Sequence, residues 1–168
     1  YMSAEINRGK SKHKLNIFIY EKDLSVSYIS SLLRTLQAAI REIAISDASI
    51  QNDFNEEKKH ILVISNLTFD TSFKFEMVFI DVVERKFNEN LSRNIFDKFV
   101  LELISFIRTL PQPGLWGDAS SKSWDSKAKS DIEIRMYQVY RELKRCTKVI
   151  IESGTKKIEI DGERLQLS

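Results

Sequence analysis

The run His60-Ile-Leu-Val-Ile-Ser-Asn-Leu-Thr-Phe69, Asp70-Thr-Ser72, Phe73-Lys-Phe-Glu-Met-Val-Phe-Ile80 decides the fold class. Its first part is apolar and β-branched, and Asp-Thr-Ser has the composition of a turn. In its second part Phe73, Phe75, Met77 and Phe79 alternate with Lys74, Glu76, Val78 and Ile80. A period of two puts alternate side chains on opposite faces, so one face of this strand is buried. The expectation is an antiparallel hairpin whose second strand runs as far as Val83.

Outward from this hairpin the period changes. Between Ser25 and Ala44, Ile29, Leu32, Leu33, Leu36, Ile40 and Ile43 recur at three and four, the stripe of an amphipathic helix. Ser25 is placed to cap it, and Arg34, Arg41 and Glu42 fall off the stripe. Leu15 to Tyr20 reads as a short strand before it, and Ser46 to Lys59 as a polar loop that Phe54 tacks down. After the hairpin, Asn90 is an N-cap candidate for a second helix. The stripe of that helix is Ile95, Phe96, Phe99, Val100, Leu103, Ile104, Ile107 and Leu110, the most apolar in the chain and expected to be central.

Pro111-Gln-Pro-Gly-Leu-Trp-Gly117 stops that helix, because proline supplies no amide. Residues 111–130 hold both prolines, both tryptophans and five serines. A connection of that length is functional or disordered. Ser130 then caps a third helix, Asp131 to Lys144, with Ile132, Met136, Val139, Tyr140 and Leu143 as its stripe. Asp131 and Glu133 in its first turn and Lys144 with Arg145 in its last suit the macrodipole. The chain then reads Val149-Ile-Ile151, a Ser153-Gly154 turn, Lys157-Ile-Glu-Ile160, Asp161-Gly162 and Arg164-Leu-Gln-Leu167. Asp-Gly between alternating runs is the strongest short-range hairpin signal.

The predicted fold is α+β: three helices packed on an antiparallel or mixed sheet of about six strands, ending in a three-stranded β-meander. Residues 1–14 form a basic polar segment, partly disordered or tag-derived, since Tyr1 precedes a plausible initiator Met2. Residues 15–168 form one α+β domain.

Composition narrows the function classes. Among 168 residues, 42% are apolar and 30% charged, which excludes general disorder. One cysteine forms no internal disulfide, and one cysteine with two histidines makes no four-ligand zinc site without carboxylates. Neither a metal nor another cofactor is expected. No apolar run approaches the length of a bilayer span, so no membrane association is expected, and with a free thiol and no secretory leader the location is read as cytoplasmic. Lys and Arg number 26 against 24 Asp and Glu, a balance of +2 too small to imply a polyanion partner. Both ends are mildly basic.

Three groups of residues carry candidate chemistry. Asp81-Val-Val-Glu84-Arg-Lys86 puts Glu84 and Lys86 on one strand face, where hard oxygens and a lysine suit Mg²⁺-assisted phosphate chemistry. With Asp70 or Asp81 it resembles the carboxylate–Glu-x-Lys pattern of restriction-endonuclease-like nucleases, although Asp81 is only three residues from Glu84. Asp131 to Leu167 resembles the last helix and wing of winged-helix DNA-binding domains. That resemblance implies groove or phosphate contacts by Arg141 and Arg145, with Lys156 and Lys157 at the wing turn. The third group is a contact surface: Leu115, Trp116 and Trp124 in the loop, with Ile134, Gln138 and Arg141 on the polar side of the third helix.

His13 and His60 each precede a strand and have no local acid–base partner, and Cys146 reads as a small core residue. No phosphate-cradling glycine loop or nucleophile elbow is present. No family is recognised over enough of the chain to name. The leading expectation is a non-catalytic cytoplasmic interaction module, of adaptor or regulatory type, that contacts a protein partner through the 111–130 loop and the third helix. Nucleic-acid binding is the alternative and Mg²⁺-dependent nuclease activity the third reading. Self-association is compatible with all three.

Overall fold

A computed structural model describes residues 13–21, 23–46, 60–81, 89–110, 130–161 and 164–167. Strand β1, Leu15–Tyr20, buries Leu15, Ile17 and Ile19 and turns Asn16, Phe18 and Tyr20 to the other face. Helix α1, Val26–Ser46, follows. Ser25 caps it as expected, its hydroxyl accepting the Tyr28 amide at 3.0 Å. Its fully buried face is Tyr28, Leu32, Leu36, Ala39, Ile40, Ile43 and Ala44, while Ile29 and Leu33 are only partly covered. Ala39 and Ala44 belong to that face too, which the branched stripe does not reveal.

Strands β2, His60–Phe69, and β3, Phe73–Asp81, form the expected hairpin across residues 70–72. Phe75, Met77 and Phe79 are buried on the helix side. A bulge separates Ile64 from Asn66 in the register. Helix α2, Glu89–Arg108, carries ten buried residues, more than either other helix. It packs on β3, β4 and β5 and on both other helices, so it is central as read. It already includes Glu89, so Asn90 sits inside its first turn rather than at the N-cap.

Helix α3, Asp131–Leu143, starts at Ser130 with a complete capping box. The Ser130 hydroxyl accepts the Glu133 amide, and the Glu133 carboxylate accepts the Ser130 amide. Lys144 is its C-cap rather than its last helical residue.

The C-terminal meander is β4, Lys148–Ser153, β5, Lys156–Asp161, and β6, Arg164–Leu167. Gly154 opens the tight β4–β5 turn at φ +60°, a conformation that glycine adopts without a Cβ penalty. The sheet order is β2-β3-β1-β4-β5-β6, antiparallel throughout. β1 lies between β3 and β4, so the meander continues the main sheet and both helical crossovers straddle a strand. All three helices join one face in a single apolar core.

The opposite face is a charge ladder. Glu76 pairs with Lys14 at 3.1 Å and Lys74 at 3.9 Å, and Glu159 pairs with Lys148 and Lys157, each at 3.8 Å. Cross-strand partners stack cation on ring, Lys74 over Phe18 and Lys148 over Tyr20. No helix among the described residues is long and apolar enough to cross a membrane.

Candidate functional site

Helices α1 and α3 lie side by side, and the shallow groove between their exposed flanks holds about 340 Å³. From α1 come Ser31, Arg34, Thr35 and Ala38, spaced three and four apart so that they share one face. From α3 come Arg135, Gln138, Arg141 and Glu142. The same helical periodicity that buries Met136, Val139, Tyr140 and Leu143 turns these four outward.

The arginines here differ from Arg145, Lys156 and Lys157, which have carboxylate partners. Arg135 donates to the neutral Gln138 side chain at 3.3 Å, and Arg141 lies over the Tyr137 ring at 5.7 Å. Among the described residues, no ion pair engages Arg34, Arg135 or Arg141. The one carboxylate in the wall, Glu142, pairs with Arg145 at 3.2 Å. Three guanidiniums and a floor of hydroxyl and amide groups therefore present donors to an acidic ligand.

One end of the groove is locked. The Tyr28 hydroxyl donates to the Glu142 carbonyl at 2.8 Å and accepts from the Cys146 thiol at 3.0 Å. Arg145 stacks over the same ring at 4.9 Å. Burial, then the bond to Cys146, pushes the Tyr28 phenol well above its ordinary range. Burial is also the main cause of the raised Cys146 thiol pKa, and the Tyr28 hydroxyl opposes it. Cys146 is thus the small core residue expected of it.

The other predicted residues fall in different places. Ile134 is half-buried on α3. Leu115, Trp116 and Trp124 lie outside the described residues, as do Phe54, Val83, Glu84, Lys86 and Gly162. Asp70 is exposed in the β2–β3 turn. Of the cations assigned to a DNA contact, Arg145 pairs with Glu142, Lys156 with Asp97 at 3.8 Å and Lys157 with Glu159. The β4–β5 hairpin is an interior part of the sheet, flanked by β1 and β6, whereas a wing projects free. Among the described residues no group of three or more His, Cys, Asp or Glu side chains is arranged to hold a metal ion.

His13 is not the isolated surface histidine that the sequence suggests. Its Nε2 lies 3.0 Å from Asp97 Oδ1 and 2.8 Å from Ser153 Oγ, and Ser153 Oγ donates to Asp97 Oδ1 at 2.7 Å. A nucleophilic triad needs the carboxylate and the hydroxyl on different ring nitrogens. Here one nitrogen meets both, the serine proton goes straight to the carboxylate, and Ser153 is 0% exposed. The cluster is a tie between the start of β1, helix α2 and the end of β4, and it fixes the last residues of the segment expected to be loose. No local signal reveals it, since its members are 84, 140 and 56 residues apart.

Comparison with protein-family models, with curated proteins and with solved structures finds no match to this chain.

Proposed function

We propose that this chain is a non-catalytic, cytoplasmic protein-interaction module, adaptor or regulatory in kind, that holds an acidic segment of a partner protein in the α1–α3 groove. The observation that carries the reading is the convergence of Arg34, Arg135 and Arg141 on one groove, none engaged in an ion pair among the described residues. Gln138 and Arg141 are two of the contact residues the sequence already points to. Leu115, Trp116 and Trp124 precede Ser130 in the segment that leads into α3, and they belong to the same proposed surface. An arginine groove also suits phosphate, so nucleic acid is the competing ligand. Protein is favoured because the other candidate cations already have carboxylate partners and the chain's balance is only +2.

The test is fluorescence anisotropy with a labelled Glu/Asp-rich peptide and a labelled oligonucleotide, at low and moderate salt. The peptide is expected to bind the wild type and to lose about tenfold in affinity in Arg141→Glu. Tighter oligonucleotide binding with a steep salt slope overturns the reading in favour of nucleic acid. Binding of neither probe overturns both.

A further inference from the structure

The helix layer does not cover the whole sheet. Register places Ile64, Leu67 and Phe69 of β2 opposite Met77, Phe75 and Phe73, on the face that packs against helices. Phe75 and Met77 are buried, yet Ile64, Leu67 and Phe69 are 43%, 56% and 61% exposed. β2 is also an edge strand. Among the described residues nothing packs over its helix side, which is an apolar floor.

Helix α1 forms one wall of the space above that floor. At one end Leu24, Val26 and Ile29 border Phe69 and Phe73. At the other, Arg34, Gln37 and Arg41 border Ile61, Leu62 and Phe79. The two elements thus run antiparallel, with a pocket between them at each end and the exposed Ile64 and Leu67 in the stretch between. Val26 to Arg41 spans about 22 Å at 1.5 Å per residue, and Ile61 to Phe69 about 26 Å at 3.3 Å per residue. That is the length of a helix of about 15 residues, and the space lies beside an existing helix on a sheet face left uncovered among the described residues.

Charge selects the occupant. Arg34, Gln37 and Arg41 recur at i, i+3 and i+7, so they line one flank, and neither arginine has an ion pair among the described residues. A second copy docked here by its own equivalent surface would bring its Arg34 and Arg41 to the same apolar floor, which like charges oppose. We propose that the α1–β2 groove receives an amphipathic helix of a partner protein, apolar where it lies on β2 and acidic where it faces α1. This surface is additional to the α1–α3 groove, and Arg34 alone among the arginines borders both.

The probe is a synthetic peptide of about 16 residues with a leucine stripe at helical spacing and glutamates on the flank, beside a copy with lysine for glutamate. The full chain, methyl-labelled, is titrated with each and followed by NMR. The acidic peptide is expected to shift the Leu62, Ile64 and Leu67 methyls. Leu67→Asp and Arg41→Glu are each expected to weaken it about tenfold, and Arg141→Glu to leave it unchanged. Arg41→Glu alters an exposed helix position, so it tests the site even if Leu67→Asp disturbs the fold. Equal binding of the lysine copy, or no shifts at about 1 mM acidic peptide, overturns the inference. So does loss of binding in Arg141→Glu alone, which would put the peptide in the α1–α3 groove and leave the proposed function standing. Sedimentation that shows a dimer abolished by Leu67→Asp overturns it in favour of a second copy.

Discussion

Replacing Tyr28 with phenylalanine keeps the ring and deletes one oxygen at the point where α1 meets the end of α3. The hydroxyl is the donor to Glu142 O at 2.8 Å and the acceptor for Cys146 Sγ at 3.0 Å. The Glu142 carbonyl keeps a second partner, the Arg145 amide at 3.2 Å, so it is not orphaned. The thiol is a weak donor. The loss therefore falls near the lower end for buried hydrogen bonds, about 1–2 kcal/mol. At about 2–4 °C per kcal/mol for a domain of this size, Tm falls by several degrees at pH 7. The pH dependence is more specific. Burial raises the Tyr28 pKa, so the native state holds its proton where the unfolded chain, ionising near pH 10, gives it up. That stability is present below about pH 10 and is lost above it, at up to about 1.4 kcal/mol per pH unit. The phenylalanine variant has nothing to titrate at this position, so the gap between variant and wild type shrinks above about pH 10 and closes near pH 11. Thermal melts followed by circular dichroism at about pH 7, 9, 10 and 11 read this directly. An unchanged Tm at neutral pH, or a gap constant with pH, refutes the reasoning.

Four further outcomes follow from the same structure. Ser130→Ala removes the capping box of α3 and costs about 1 kcal/mol in urea unfolding, whereas Ser130→Asp retains most of it. Gly154→Ala is strained twice, by φ +60° and by a Cβ placed 2.9 Å from His13 Cε1, so it destabilises by more than the roughly 1–2 kcal/mol of the backbone term alone. Ser153→Ala deletes a buried hydroxyl that donates to a carboxylate, and a loss of about 1.5–3 kcal/mol is expected by chemical denaturation. Because His13, Asp97 and Ser153 form one tie, His13→Ala and Ser153→Ala are expected to be strongly non-additive in a double-mutant cycle.

The sequence is most legible where one period runs unbroken. The alternation of Phe73 to Ile80 placed β3 and its hairpin, and Ser130 as a cap before the stripe placed the start of α3. The meander followed from its turn residues. Strand order was not legible, because β1 pairs with β3 more than fifty residues away and with β4 more than a hundred and twenty away, and no local pattern encodes such pairings. The buried face of α1 was read one residue off at Tyr28 and without Ala39 and Ala44, since a stripe drawn through large apolar residues passes over small ones. The candidate site was half legible. Gln138 and Arg141 stand opposite the apolar stripe of α3, and Arg34 stands off the stripe of α1. That they share one groove depends on how two helices a hundred residues apart pack together. The His13 tie was missed because every contact in it is long-range.

The central claim, that the α1–α3 groove holds an acidic segment of a protein, is tested most directly by placing a photo-crosslinking residue at position 138. The full-length variant is irradiated in nuclease-treated native lysate, and the adducts are identified by mass spectrometry, with Arg135→Glu/Arg141→Glu in the same background as the control. One dominant protein adduct is expected, joined through an acidic stretch and lost in the charge-reversed control. An adduct that persists after charge reversal, or one made up of nucleotides, contradicts it.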